Sequence, residues 1–157
     1  MKKKYYALMI LVIIADQVVK ALIRGAMEPY ESRDFIGSLL SLTYVQNTGA
    51  AFSLFAGMKW LLVVLPMIVM IYGLWYMIKH DGEHWTLYLA LALAIGGGIS
   101  NLVDRVVLGF VTDMFDLHFW PVFNVADIAI CVGCGFLIIY ILCFYNKGSE
   151  ETDKADN

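Results

Sequence analysis

Charge is what this chain has least of. Asp, Glu, Lys and Arg make up 16% of its 157 residues, where a soluble domain carries about 25%. The net charge of −3 comes without a basic stripe, so nucleic acid is not expected as a partner. Cysteine is nearly as scarce. Cys131, Cys134 and Cys143 all fall in one apolar stretch, which excludes a secreted disulfide framework. The CxxC spacing of the first two lacks a second ligand pair, so they are read as small residues at a helix contact. A Ser-centred elbow, a Gly-rich phosphate loop and a His-rich zinc motif are all missing, leaving serine hydrolase, nucleotide and zinc readings without support. His80 and His84 flank a turn, Asp81-Gly82-Glu83, and His118 stands alone. They are expected to be solvated loop residues, with no metal held.

Hydrophobic residues fill 61% of the chain, against about 45–50% in soluble domains. Only lipid can cover that excess. A helical span takes roughly 20 residues, and four stretches are long enough: 5–23, 60–78, 85–103 and 122–145. The first follows Lys2, Lys3 and Lys4 like a signal peptide, yet Asp16 and Lys20 lie within it and no A-x-A site follows. It is expected to be a permanent span. Counting Lys and Arg near the span ends sets Lys2, Lys3, Lys4, Lys79, Lys147 and Lys154 against Arg24, Arg33, Lys59 and Arg105. The former group should face the cytoplasm, with both termini inside. Segments 24–59 and 104–121 then form an outer cap with β-prone runs such as 41–45, and residues 147–157 a disordered cytoplasmic tail. Residues 1–146 should make one membrane-embedded domain.

Ionisable groups inside spans are costly and usually mark a working site. Asp16 and Lys20 are four apart, on one helix face, as an ion pair would be. Asn101 shares a face with Asp104 and Arg105, an arrangement suited to anchoring peptide carbonyls. Gly96, Gly97, Gly98 and Ser100 just before them would admit a second backbone. Asn124 and Asp127 stand three apart at the start of the last stretch. Asp113 lies in the loop 109–116 and can fold back onto Asp127. Two carboxylates that close share one proton, so one can activate water while the other polarises or protonates a carbonyl. Spacing alone leaves Asp104, Asp113, Asp116 and Asp127 several ways to pair. A proton- or ion-coupled transport subunit is the competing reading, since the same groups would serve a relay.

Five blocks in order carry a resemblance: Asp16-Gln17-Val18-Val19-Lys20, Gln46-Asn47-Thr48-Gly49-Ala50-Ala51-Phe52, the run from Gly97 to Arg105, Val111-Thr112-Asp113-Met114-Phe115, and Phe123-Asn124-Val125-Ala126-Asp127. They resemble the lipoprotein signal peptidase (signal peptidase II) family. The resemblance implies an all-α integral membrane enzyme, with four transmembrane helices and a small extracytoplasmic β-cradle. It implies cutting of bacterial prolipoproteins before a diacylglyceryl cysteine at the outer face of the cytoplasmic membrane. The implied catalytic pair is Asp113 and Asp127, supported by Asp16, Lys20, Asn47, Asn101, Arg105 and Asn124. Membrane lipid and globomycin-like inhibitors are the implied ligands, and no cofactor is implied. Two positions depart from the family pattern: Ile128 stands where Ser is common, and Thr112 where Val is usual.

Overall fold

The computed structural model describes residues 2–37, 39–49 and 59–145. The expected tail 147–157 and part of the outer cap lie outside these residues. In chain order the elements are α1 (Lys3–Ala26), β1 (Ser32–Ile36), β2 (Leu40–Asn47), α2 (Lys59–Lys79), α3 (Trp85–Val107), β3 (Val111–Asp116) and α4 (Val125–Tyr140), closed by a π-helical turn, Ile141–Tyr145. Among the described residues three helices are long and apolar enough to cross a membrane: Lys3–Ala26, Trp85–Val107 and Val125–Tyr145. The apolar stretch of α2, Val63–Lys79, is shorter.

Helix α3 is the centre of the bundle, touching α1, α2 and α4. Its small residues make this possible. A Cβ on Gly97 would collide with the carbonyl oxygen of Ala126 in α4, and one on Gly96 would meet the Met9 carbonyl of α1 at 3.0 Å. Gly133 of α4 answers from the other side, 2.8 Å from the Ala90 carbonyl by the same measure. The glycines of α3 therefore serve helix packing, as close approach requires. The cysteines do not. All three are exposed on the helix exterior, because the inward face of α4 is taken by Ala126, Ala129 and Gly133.

Tyr5, Met9, Met70, Met77, Tyr88, Ala92 and Ile95 form a buried core between α1, α2 and α3. The outward faces carry Ile10, Leu11, Ile14, Leu22, Ile68, Val69, Ile71, Ile138 and Leu142, all exposed. So large an uncovered apolar surface fits lipid and not water. At the other end from the cradle, the Glu83 carboxylate accepts hydrogen bonds from Tyr76 and Tyr140, each at 2.6 Å, tying α2 to α4. Tyr140 and then Tyr76 hold that carboxyl below its usual range. The histidines nearby are packed, unlike the solvated loop residues expected: His84 caps α3 and stacks on Phe144, and His80 stacks on Tyr76.

The three strands make one antiparallel sheet in the order β1-β2-β3. Residues 111–116, expected as loop, form its third strand, with Val45 opposite Asp113 and Gln46 opposite Thr112. The run 41–45 falls within β2 as its β-prone composition suggests. Ile23 of α1 and its C-cap Met27 pack against Tyr44 and Met114, pinning the sheet to the bundle end. Phe115 bridges to Phe123, two residues before α4. That helix starts later than the expected 122, because Asn124 is its N-cap.

Candidate active site

Asn124 organises the site. Its side-chain oxygen accepts from the Asp127 backbone N–H at 2.9 Å, while its own N–H donates to Asp127 Oδ2 at 3.1 Å. This capping box satisfies donors that the first helical turn leaves over. The Asn124 side-chain amide then turns to Asp113 Oδ1 at 2.6 Å and Asn101 Oδ1 at 3.1 Å. One residue thus holds both carboxylates, one by its backbone and the other by its side chain. Asn47, from the end of β2, donates to the second Asp113 oxygen at 2.8 Å, and Asn101 donates to Asp127 Oδ1 at 2.9 Å. Every hydrogen-bond donor these four contacts supply is a neutral amide.

Asp113 is buried at the junction of the sheet and the helices. Burial raises its pKa, and the Asn47 hydrogen bond offsets this only in part; the charge of Asp127 adds to the rise, to about 7. A carboxyl poised there carries a proton for part of the time at neutral pH.

Behind the pair lies a wholly buried ionic cluster. Lys20 Nζ donates to Asn101 Oδ1 at 2.8 Å, Asp16 Oδ2 at 2.7 Å and Asp104 Oδ2 at 3.3 Å, which uses all three ammonium protons. Because Lys20 claims the Asn101 oxygen, the Asn101 nitrogen is left to face Asp127. Asp16 Oδ1 also accepts from the Ala126 N–H at 2.8 Å, placing a carboxylate at the N-terminus of α4 where the helix dipole favours it. Asp16 and Lys20 are therefore an ion pair that ties α1 to the start of α4 and to Asn101 of α3.

The structure separates the four aspartates that spacing left open. Asp104 is committed to Lys20 and to the Thr112 N–H at 2.9 Å. Asp116 takes the Thr43 hydroxyl at 3.0 Å and the His118 N–H at 2.8 Å. Asp113 and Asp127 remain together around Asn124. Asn101 has both side-chain polar atoms engaged by protein groups, its oxygen by Lys20 and Asn124 and its nitrogen by Asp127. Arg105, half-buried, reaches away from Asn101 to the Gly49 carbonyl at 3.2 Å.

Gln17 and Arg24, to which the sequence assigns no place at the site, join this cluster, and Ser100, expected only as a small packing residue, hydrogen-bonds within it. Gln17 donates to the Ser100 hydroxyl at 3.0 Å and to Asp104 Oδ1 at 3.0 Å, Ser100 donates to Asp16 at 2.7 Å, and Arg24 donates to the Thr112 hydroxyl at 3.0 Å. The signal for Arg24 was there: Asp16, Lys20 and Arg24 recur every four residues along one face of α1. The Thr112 hydroxyl, a departure from the family pattern, is what Arg24 holds. Ile128, the other departure, is exposed on the outside of α4 and does not face Asp127's partners.

An apolar helical bundle with buried carboxylates under a small sheet is the architecture of a multi-pass membrane protein. Two solved structures, each described as a bacterial membrane enzyme, share this fold, with TM-scores of 0.84 and 0.82 at 29% and 28% identity. They cover 88% and 90% of this chain, and 87% and 94% of their own. A family model described as signal peptidase (SPase) II matches residues 8–143. Lipoprotein signal peptidases from Lactococcus lactis subsp. cremoris (strain MG1363) and Halothermothrix orenii are 43% and 40% identical. These alignments cover 94% and 87% of this chain, and 99% and 93% of the relatives. The chain belongs to the lipoprotein signal peptidase (signal peptidase II) family.

Proposed function

We propose that this protein is an aspartic endopeptidase that removes the signal peptide from bacterial prolipoproteins, cutting before a cysteine that carries diacylglycerol. Family membership supports prolipoprotein processing, and the observation that carries the mechanism is the pair of carboxylates held on either side of Asn124. Asp113 and Asp127 share one proton. The ionised member takes a proton from water as it attacks the scissile carbonyl, while the protonated member gives its own to the carbonyl oxygen; on collapse the first passes the water-derived proton to the leaving amine and the second regains one from the tetrahedral hydroxyl. Two carboxyls and a water suffice for this. Asn47, Asn101 and Asn124 hold the pair, Asp16 and Lys20 support it from behind, and Arg105 steadies the segment at Gly49 beside the substrate.

Residues 1–146 act as one membrane domain in the bacterial cytoplasmic membrane, with α2 as a fourth span. Both termini face the cytoplasm and the sheet lies outside, a reading supported by the Lys and Arg distribution. Membrane lipid surrounds the bundle, and a cyclic lipopeptide of the globomycin type would occupy the site in place of substrate. The transport reading finds no supporting observation: the apolar core of Tyr5, Met9, Met70, Tyr88 and Ile95 lies between the polar cluster and the opposite end.

The test is cleavage of a diacylglyceryl-modified lipopeptide by the purified protein. Asp113→Asn and Asp127→Asn should each lower the rate by roughly 10²–10⁴-fold. Near wild-type cleavage by either variant would exclude the aspartic mechanism.

A further inference from the structure

Thr112 stands next to Asp113 on β3, and three helices hold it. β3 comes last in the sheet order, so on its outer side the backbone of Thr112 is free to meet helices: its N–H donates to Asp104 of α3 at 2.9 Å, and its carbonyl accepts from the side-chain amide of Asn124, the N-cap of α4, at 3.4 Å. The third hold is on the side chain. The Thr112 hydroxyl accepts from Arg24 Nη1 of α1 at 3.0 Å, and the same nitrogen lies 3.8 Å from Asp104 Oδ1. Arg24, Thr112 and Asp104 thereby close a ring that joins α1, β3 and α3. Thr112 and Asp104 are 0% and 1% exposed, so the hydroxyl needs its partner inside the protein. Arg24 is 26% exposed and reaches them from a cavity of about 460 Å³ at the outer end of α1, lined also by Glu28, Glu31, Arg33 and Tyr44.

We propose that Arg24 is a positioning residue for Asp113 and acts through the Thr112 hydroxyl. Asn47 and Asn124 donate to the Asp113 carboxylate at 2.8 and 2.6 Å, and those bonds aim it only as well as the strand beneath it is fixed. The three holds on Thr112 act in two directions. Backbone N–H and C=O groups lie in the plane of a sheet, so Asp104 and Asn124 restrain the strand within that plane. Side chains stand roughly perpendicular to it, so the Arg24 bond restrains β3 against rolling about its own axis. Neighbouring side chains of a strand project from opposite faces, and one planar peptide unit links Thr112 to Asp113. A roll that carries the Thr112 hydroxyl one way therefore swings the Asp113 carboxylate the other. Arg24 is well placed to hold: it lies in the last turn of α1, where the helix dipole favours a cation, and Asp104 beside it is itself fixed by Lys20 and Gln17. The proposal rests on the peptidase reading, since what Arg24 positions is one of the two proposed catalytic carboxylates.

Variants of the full chain are assayed on a diacylglyceryl-modified lipopeptide, with kcat, KM and the unfolding midpoint measured for each. Thr112→Val nearly keeps the shape and removes the hydroxyl, while Arg24, open to the cavity, exchanges it for water, so the fold should survive. Its kcat should fall about ten- to a hundredfold, the range that misplacing a reacting group costs, with KM unchanged. Thr112→Ser restores the hydroxyl and should stay close to the wild-type kcat. Arg24→Met should match Thr112→Val, and the two changes together should be scarcely slower than either, because both break one contact. Arg33→Met takes a charge from the same cavity but not from Thr112, since Arg33 bonds Glu31 and the Ala26 carbonyl; it should cleave as wild type does. An unchanged kcat in Thr112→Val, a Thr112→Ser as slow as Thr112→Val, or a loss that disappears once the unfolded fraction is allowed for overturns the proposal. A raised KM with kcat intact overturns it too, since Arg24 would then be a substrate contact. If Arg24→Met does not fold, the two Thr112 variants decide alone. Failure of the wild-type protein to cleave overturns the peptidase reading and this proposal with it, whereas wild-type cleavage beside indifferent variants overturns the proposal alone.

Discussion

Asn124 and Asp127 exchange two hydrogen bonds across the first turn of α4, backbone N–H to side-chain oxygen in each direction, at 2.9 and 3.1 Å. A proposed catalytic carboxylate is thus also part of a helix cap. Asp127→Asn keeps an oxygen for the cap and should unfold close to wild type, whereas Asp127→Ala should lose about 1 kcal/mol. Both should be inactive. Thermal unfolding in detergent beside the cleavage assay checks the separation of the two effects.

Because Asp113 and Asp127 work as one unit, the double Asn variant should cleave scarcely more slowly than either single one. Additive losses, measured as kcat on a lipopeptide, would mean two independent roles. Asp116→Asn, whose partners are Thr43 and His118, should keep most activity.

Asp113 also predicts a pH dependence of stability. Its folded pKa, about 7, lies above the ordinary 3.8, so the folded state binds the proton more tightly than the unfolded one. Its favourable contribution is complete below pH 3.8 and is lost as pH rises through about 7. Asp113→Asn is neutral throughout and should lack this decline, leaving it more stable than wild type at pH 8. Unfolding midpoints across that range decide it. Cleavage should likewise fall on the alkaline side as the shared proton leaves the pair.

Removing Lys20 should be among the most damaging single changes. Lys20→Met would strand Asp16 and Asp104 with no ammonium between them in a site of 0–1% exposure. Breaking a buried ion pair in this way costs about 3–5 kcal/mol. Expression and thermal stability should fall together, in contrast to Asp113→Asn.

Gly97→Ala tests the helix contact directly. The added methyl would meet the Ala126 carbonyl, and backbone cannot move aside as a side chain can, so about 1–3 kcal/mol should be lost. A fully stable Gly97→Ala protein would show that α4 shifts freely at its start.

Much of the architecture was legible in residue order. Apolar runs located the helices to within a few residues, since lipid demands length and apolarity that few other contexts do. The polar residues within those runs marked the candidate site, because burying such groups is costly unless they are paired. Boundaries were less legible at the outer ends. There the strand Val111–Asp116 depends on β2, a partner elsewhere in the chain, whereas the Asn124 cap rests on Asp127 three residues on. The direction in which the cysteines face was likewise invisible, since a continuous apolar run carries little periodicity to show which side is inward.

What the sequence determined by itself was membership: a membrane enzyme of known family, with Asp113 and Asp127 as the proposed pair, because local composition and ordered motifs survive without any knowledge of contacts. Only the tertiary structure decided which aspartates stand together. Four were available, and the choice came from distant commitments: Lys20 of α1, 84 residues away in the chain, claims Asp104, and Thr43 of β2, 73 residues away, claims Asp116. No local pattern encodes such a choice; it arises because a buried carboxylate must find a donor, and the fold determines which donor is within reach.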